Sequence, residues 1–114
     1  MTEPQLSEPE FRAKVQGLFD RIDRAFTNVD PDLAESERGL GTLTITFKDG
    51  SKCILSTQPS LQQVWMALAS KGMAFHFIQE PRSGLWIDDK GKGIELISYL
   101  QQFLKDSVKL ELKI

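Results

Sequence analysis

Apolar residues recur along this chain with two different periods, and the changes of period mark helices and strands. Phe11, Val15, Leu18, Ile22 and Phe26 follow one another at three- and four-residue steps, the spacing of one helix face. Ser7-Glu8-Pro9-Glu10, just ahead of them, reads as a capping box with proline tolerated in the first turn, and Leu6 and Phe11 have the spacing of a hydrophobic staple. The pattern predicts a first helix over about 8 to 27. From Thr42 the period falls to two: Thr42, Thr44 and Thr46 alternate with Leu43, Ile45 and Phe47, as in a strand with one buried face. Asp49-Gly50 predicts a type I′ turn closed by Lys48 and Ser51, which pairs Ile45 with Ile54 and Phe47 with Lys52. That register puts Leu43, Ile45, Phe47 and Ile54 on the buried face, with Cys53 and Leu55 beside the threonines on the other.

After a break at Gln58-Pro59-Ser60, the run LQQVWMAL alternates again. Val64, Met66 and Leu68 are expected inward and Gln63, Trp65 and Ala67 outward, so an indole is expected on the wet face; on a plainer reading Leu55 and neighbouring loops would partly cover it. Ser70-Lys71-Gly72 and Pro81-Arg82-Ser83-Gly84 are turns on either side of MAFHFIQ, a fourth strand with Phe75 and Phe77 opposite His76. Leu85-Trp86-Ile87 makes a short fifth strand, with Trp86 read as core. Ile97, Leu100 and Leu104, flanked by Leu96 and Phe103, form a second helical stripe, and VKLELKI at the end alternates as a closing strand. The acidic stretch NVDPDLAESER shows no period and is expected as a loop. The order αβββββαβ with short links predicts an α+β fold: a two-layer α-β sandwich whose antiparallel sheet carries both helices on one face. One domain is expected over 1–114, with 1–6 as a flexible N-terminus.

Composition narrows the chemistry. A single Cys53 among the 114 residues excludes a disulfide framework and every multi-cysteine metal site, and suits a reducing cytosol. The acidic start is no leader peptide, and no apolar run reaches the ~20 residues of a membrane span, so a soluble, cytoplasmic protein is expected. Residues 1 to 40 have nine carboxylates against five basic side chains, whereas the rest has seven against nine. That balance argues against nucleic acid and allows a cationic metal or protein partner, and without an apolar span no membrane partner is expected.

The ordered set LTITFKDGSK, Gln58 followed by Leu61-Gln62-Gln63-Val64-Trp65-Met66-Ala67, then Phe75-His76-Phe77, then Trp86-Ile87-Asp88-Asp89, resembles the bacterial frataxin (CyaY) family over roughly residues 8 to 112. The resemblance implies an α-β sandwich and a role in iron–sulfur cluster assembly, with weak surface binding of ferrous and ferric iron and association with a cysteine desulfurase and its scaffold. It implies metal ligands among Asp20, Asp23, Asp30, Asp32, Glu35 and Glu37, where hard carboxylate oxygens suit iron at a thiolate-free site. It also implies partner contacts through Gln58, Gln63 and Trp65, and a monomer able to form metal-driven oligomers. Arg24, Thr27 and Asn28 stand where the family has acids, and Arg21 and Arg24 flank Asp20 and Asp23, so iron binding weaker than in a typical member is expected. Ser56 replaces the family's asparagine, and the proline is shifted to Pro59.

Each feature has a plainer reading. The acids serve solubility equally well as solvated charges, and a single outward tryptophan needs no function. His76 has no second ligand at metal spacing, and Cys53 reads as a packing residue with no histidine to activate it. Lys90-Gly91-Lys92-Gly93 lacks the phosphate-loop pattern. With no catalytic constellation, three functions remain: a non-enzymatic iron donor, sensor or regulator of the desulfurase–scaffold complex; an interaction module of that machinery with little metal binding; and a ferroxidase-like enzyme.

Overall fold

Helix α1 spans Glu8–Ala25, and its start is set by local chemistry. The Ser7 hydroxyl accepts from the Glu10 N–H while the Glu10 carboxylate accepts from the Ser7 N–H, and the hydrogen bond from Ser7 holds the Glu10 carboxyl below its ordinary value. The computed structural model describes residues 6–114. Of the expected flexible N-terminus, residues 1–5 lie outside the described residues, whereas Leu6 is held. Its N–H and C=O bond the Gln62 side chain at 3.2 and 2.6 Å. The helix stops two residues earlier than its stripe suggests, with Phe26 as C-cap.

Six antiparallel strands follow in sequential order, β1 (Ala34–Gly39), β2 (Thr42–Phe47), β3 (Lys52–Gln58), β4 (Gln63–Leu68), β5 (Met73–Gln79) and β6 (Trp86–Asp88), before helix α2 at Leu96–Val108. The two-layer sandwich is therefore as the sequence predicts, but its element order is αββββββα. Two segments exchange roles. NVDPDLAESER holds β1 at the sheet's edge, where only Ala34 is buried. No apolar period marks this strand, because beyond Ala34 its inner positions are polar: Ser36 donates to Asp23 and Arg38 pairs with Asp20, both on α1. The Arg38 guanidinium also lies 5.6 Å from the centre of the Phe19 ring.

The closing segment is no strand of the sheet. Lys109 takes a left-handed conformation (φ 57°), and the chain then runs extended along the helical layer. Leu110, Leu112 and Ile114 pack against the core, so the alternation is real. Ile114 donates to Gln101 Oε1 of α2 and accepts from Arg21 Nη2 of α1. A period of two specifies an extended chain with one covered face; it does not say that a helix layer, instead of a strand, supplies the cover.

The β2–β3 register also differs from the sequence reading. Phe47 N–H bonds Ser51 C=O at 2.9 Å and Gly50 N–H bonds Phe47 C=O at 2.8 Å, so Lys48-Asp49-Gly50 is a three-residue loop. Gly50 alone takes positive φ (85°), whereas a type I′ turn would require it of Asp49 as well. The Asp49 carboxylate accepts from both the N–H and the hydroxyl of Ser51, which favours this turn and holds that carboxyl below its ordinary value. The extra loop residue shifts every pair by one, giving Ile45↔Cys53 and Thr44↔Ile54. Cys53 and Leu55 are consequently in the core at 0% exposure, and Ile54 is on the outer face at 38%. Burial pushes the Cys53 thiol up to about 12, as befits an inert packing residue.

Between the layers, Phe11, Val15, Leu18, Phe19 and Ile22 of α1 and Leu96, Ile97, Leu100, Phe103 and Leu104 of α2 meet the inward residues of the sheet. Trp86 is part of this core, edge-on to Phe11 with ring centres 6.4 Å apart. Both helices cover one face of the sheet, leaving the other to solvent.

Candidate functional site

Outward positions of neighbouring strands fall into rows across the uncovered face. One row is Thr42, Ser56, Trp65 and His76, which are register partners from β2 to β5. Asp89 extends it past the end of β6, because its N–H bonds the His76 carbonyl at 2.8 Å and so continues the Phe77↔Asp88 pairing by one step. Beside this row, Gln58 pairs with Gln63. The structure thus brings Gln58, Gln63 and Trp65 to one end of the face, with Ile54, Ala67, Ala74 and Ile78 exposed around them. Leu55 is buried and does not cover the indole.

Trp65 is held from two directions. Its Nε1–H donates to Gln63 Oε1 at 2.8 Å, and the His76 imidazole stacks on it with ring centres 4.3 Å apart and planes 15° from parallel. Gln63 Nε2 donates to Asp89 Oδ2 at 3.4 Å, and His76 Nδ1 is 3.5 Å from the same oxygen. The sequence reading set His76 aside for want of a second ligand and gave Asp89 no role of its own. Outward parity at His76 was readable, but its placement opposite Trp65 needs the β4–β5 register. That register is set by the short helical turn Ala69–Lys71 and left-handed Gly72 (φ 60°).

Asp88 supports the loop that carries Asp89. It points inward at 7% exposure, and its carboxylate accepts from the backbone N–H groups of Lys90, Lys92 and Ile94 at 3.3, 3.2 and 2.8 Å. Burial pushes this carboxyl up, but the three amides and the Lys92 ammonium outweigh it and hold it below its ordinary value. A lowered carboxyl contributes stability that is present above its unfolded value of about 4 and is lost as pH falls through the folded value. Melting temperature should therefore drop on acidification below about pH 4, and Asp88→Asn should both lower it at neutral pH and flatten the acid limb. Parallel melting curves for the two proteins across pH would refute this role.

The six acids implied as iron ligands separate into three places. Asp20 and Asp23 face β1 and are engaged by Arg38 and Ser36. Asp30 and Asp32 belong to the turn before β1, where Asp30 Oδ1 accepts from the Asp32 N–H at 3.0 Å. Glu35 and Glu37 project from the outer side of β1, opposite Thr46 and Thr44, and among the described residues neither has an ion-pair partner. No group of three or more His, Cys, Asp or Glu side chains gathers to hold a metal ion among the described residues. A cation at this edge would meet exposed carboxylates singly or in pairs and keep much of its water. On the far side of the face, His76, Asp89, Lys90 and Lys92 share a cleft of about 210 Å³.

Comparison with known proteins agrees with this architecture. The family model of the frataxin-like domain matches residues 4–110. The iron-sulfur cluster assembly protein CyaY of Tolumonas auensis is 39% identical over 95 residues, covering 83% of this chain and 86% of that protein. Its namesake from Pseudomonas aeruginosa is 40% identical over 84 residues, 74% of this chain and 75% of that one. Among solved structures, frataxin from Psychromonas ingrahamii has a TM-score of 0.83 at 23% identity, covering 95% of this chain and 97% of its own. Trimeric frataxin from Saccharomyces cerevisiae, complexed with ferrous, reaches a TM-score of 0.60 at 16% identity, with 96% and 92% covered. A match over nearly the whole chain, by sequence and by fold alike, establishes that this protein belongs to the frataxin-like family.

Proposed function

We propose that this protein acts in iron–sulfur cluster assembly as a binding protein and not as an enzyme, in the cytoplasm, with 1–114 as one frataxin-like domain. Its uncovered sheet face, centred on Trp65 with Gln58 and Gln63, meets the cysteine desulfurase or the scaffold, and its acidic edge receives iron as cargo or signal. The observation that supports this most is the indole itself: a partly exposed tryptophan among exposed aliphatic residues on a face that neither helix covers. Family membership supplies the machinery, since the relatives matched are iron-sulfur cluster assembly proteins.

Iron should bind weakly, centred on Asp30, Asp32, Glu35 and Glu37, because Asp20 and Asp23 already have partners. Anaerobic titration with ferrous iron should broaden NMR signals around 30–37, and replacing these four acids by Asn and Gln should abolish most of that broadening. Broadening that persists around Asp20 and Asp23 would move the site to the helix. No broadening at all would favour the reading as an interaction module alone, and oxidation of ferrous iron above the uncatalysed rate would revive the ferroxidase.

Charge should also govern encounter with the partner. Association should slow as salt rises, because exposed charges are screened over about 10 Å at 0.1 M. Charge reversal of Glu35 and Glu37 to Lys should slow it further while changing dissociation little. Stopped-flow rates indifferent to both would remove steering from the mechanism.

A further inference from the structure

Two contacts that end on the Trp65 indole begin at one carboxylate oxygen. Asp89 Oδ2 faces Gln63 Nε2 at 3.4 Å and His76 Nδ1 at 3.5 Å. From there Gln63 Oε1 reaches the indole N–H and the His76 ring covers one indole face. Building on the reading of Trp65 as partner-facing, we propose that Asp89 and His76 are positioning residues of the docking face, which hold the indole by its edge through Gln63 and by one face through the imidazole.

The chemistry of the groups gives the arrangement its direction. An ionised carboxylate only accepts, so Asp89 turns the Gln63 amide nitrogen toward itself and the amide oxygen toward the indole N–H. It likewise favours the proton on His76 Nδ1 and leaves Nε2 as a free acceptor. With edge and one face fixed, the indole offers its other face to a partner without first having to be ordered, and preorganisation of this kind strengthens binding.

Lys90 and Lys92 line the same cleft as His76 and Asp89, and Asp88 is bound to loop amides. The neighbours on β4 and β5, Gln63, Trp65, Ala74 and Ile78, are uncharged.

The test follows the indole N–H signals of the full-length protein by NMR, with Trp65 told from buried Trp86 by Trp65→Phe, alongside affinity for the cysteine desulfurase. Asp89→Ala should speed solvent exchange of the Trp65 indole proton and weaken the complex roughly tenfold, while the Trp86 signal and the melting temperature hold. His76→Ala should likewise speed that exchange, and His76→Phe, which keeps a ring to stack, should largely restore the slow exchange. An indole signal and exchange rate unchanged by Asp89→Ala would overturn the proposal. So would an affinity unchanged by Asp89→Ala where Trp65→Ala weakens the complex. If Trp65→Ala itself leaves the complex intact, the docking reading fails, whatever the indole signals show.

Discussion

Leu55→Ala should destabilise this protein by about 2–5 kcal/mol, whereas Ile54→Ala, one residue away, should cost less than about 1 kcal/mol. The contrast follows from the three-residue loop at Lys48-Asp49-Gly50, which sends Leu55 into the core at 0% exposure and Ile54 to the outer face at 38%. Leu55 sits between its register partners Leu43 and Met66, both buried, so truncation leaves a cavity that rigid strands on either side cannot close. Melting temperature should fall by roughly 8–20 °C for Leu55→Ala. Thermal and urea unfolding of the two variants side by side is the check, and the reverse order of stabilities would restore the two-residue turn.

The second large effect concerns binding. Trp65→Ala should weaken the complex with the desulfurase or scaffold by about 2 kcal/mol, roughly thirtyfold, chiefly through faster dissociation. Folding should be nearly unaffected, because the indole packs on His76 and Gln63 outside the core cluster. Melting and binding measured on the same variant decide the matter. A collapse of stability would make Trp65 a structural residue, and intact affinity would place the docking surface elsewhere on the molecule.

Much of the architecture was readable from one dimension because the physics behind it is local. The capping box at Ser7, the stripe from Phe11 to Phe26 and the outward parity of Gln63 and Trp65 depend on residues within a few positions of each other. Trp86 was recognisable as core for the same reason: a short apolar strand followed at once by a polar loop. The ordered motifs around Trp65 carried the family resemblance as well, since they span most of the chain.

What the tertiary structure alone decided lies where distant segments choose each other. β1 has no apolar period to announce it, because its inner side chains are satisfied by Asp20 and Asp23 of a helix thirteen to eighteen residues away. The closing segment has the alternation of a strand, yet it is covered by helices, and only the contacts of Ile114 with Gln101 and Arg21 reveal it. The β2–β3 register turned on whether Asp49 would accept a positive φ, a choice made by its hydrogen bonds to Ser51 and invisible in the Asp-Gly pair. The candidate site shows the same division. Trp65 and Gln63 could be placed on a face from parity, but their closure through Asp89 and His76 needs three strands in register, and register is a property of the assembled sheet.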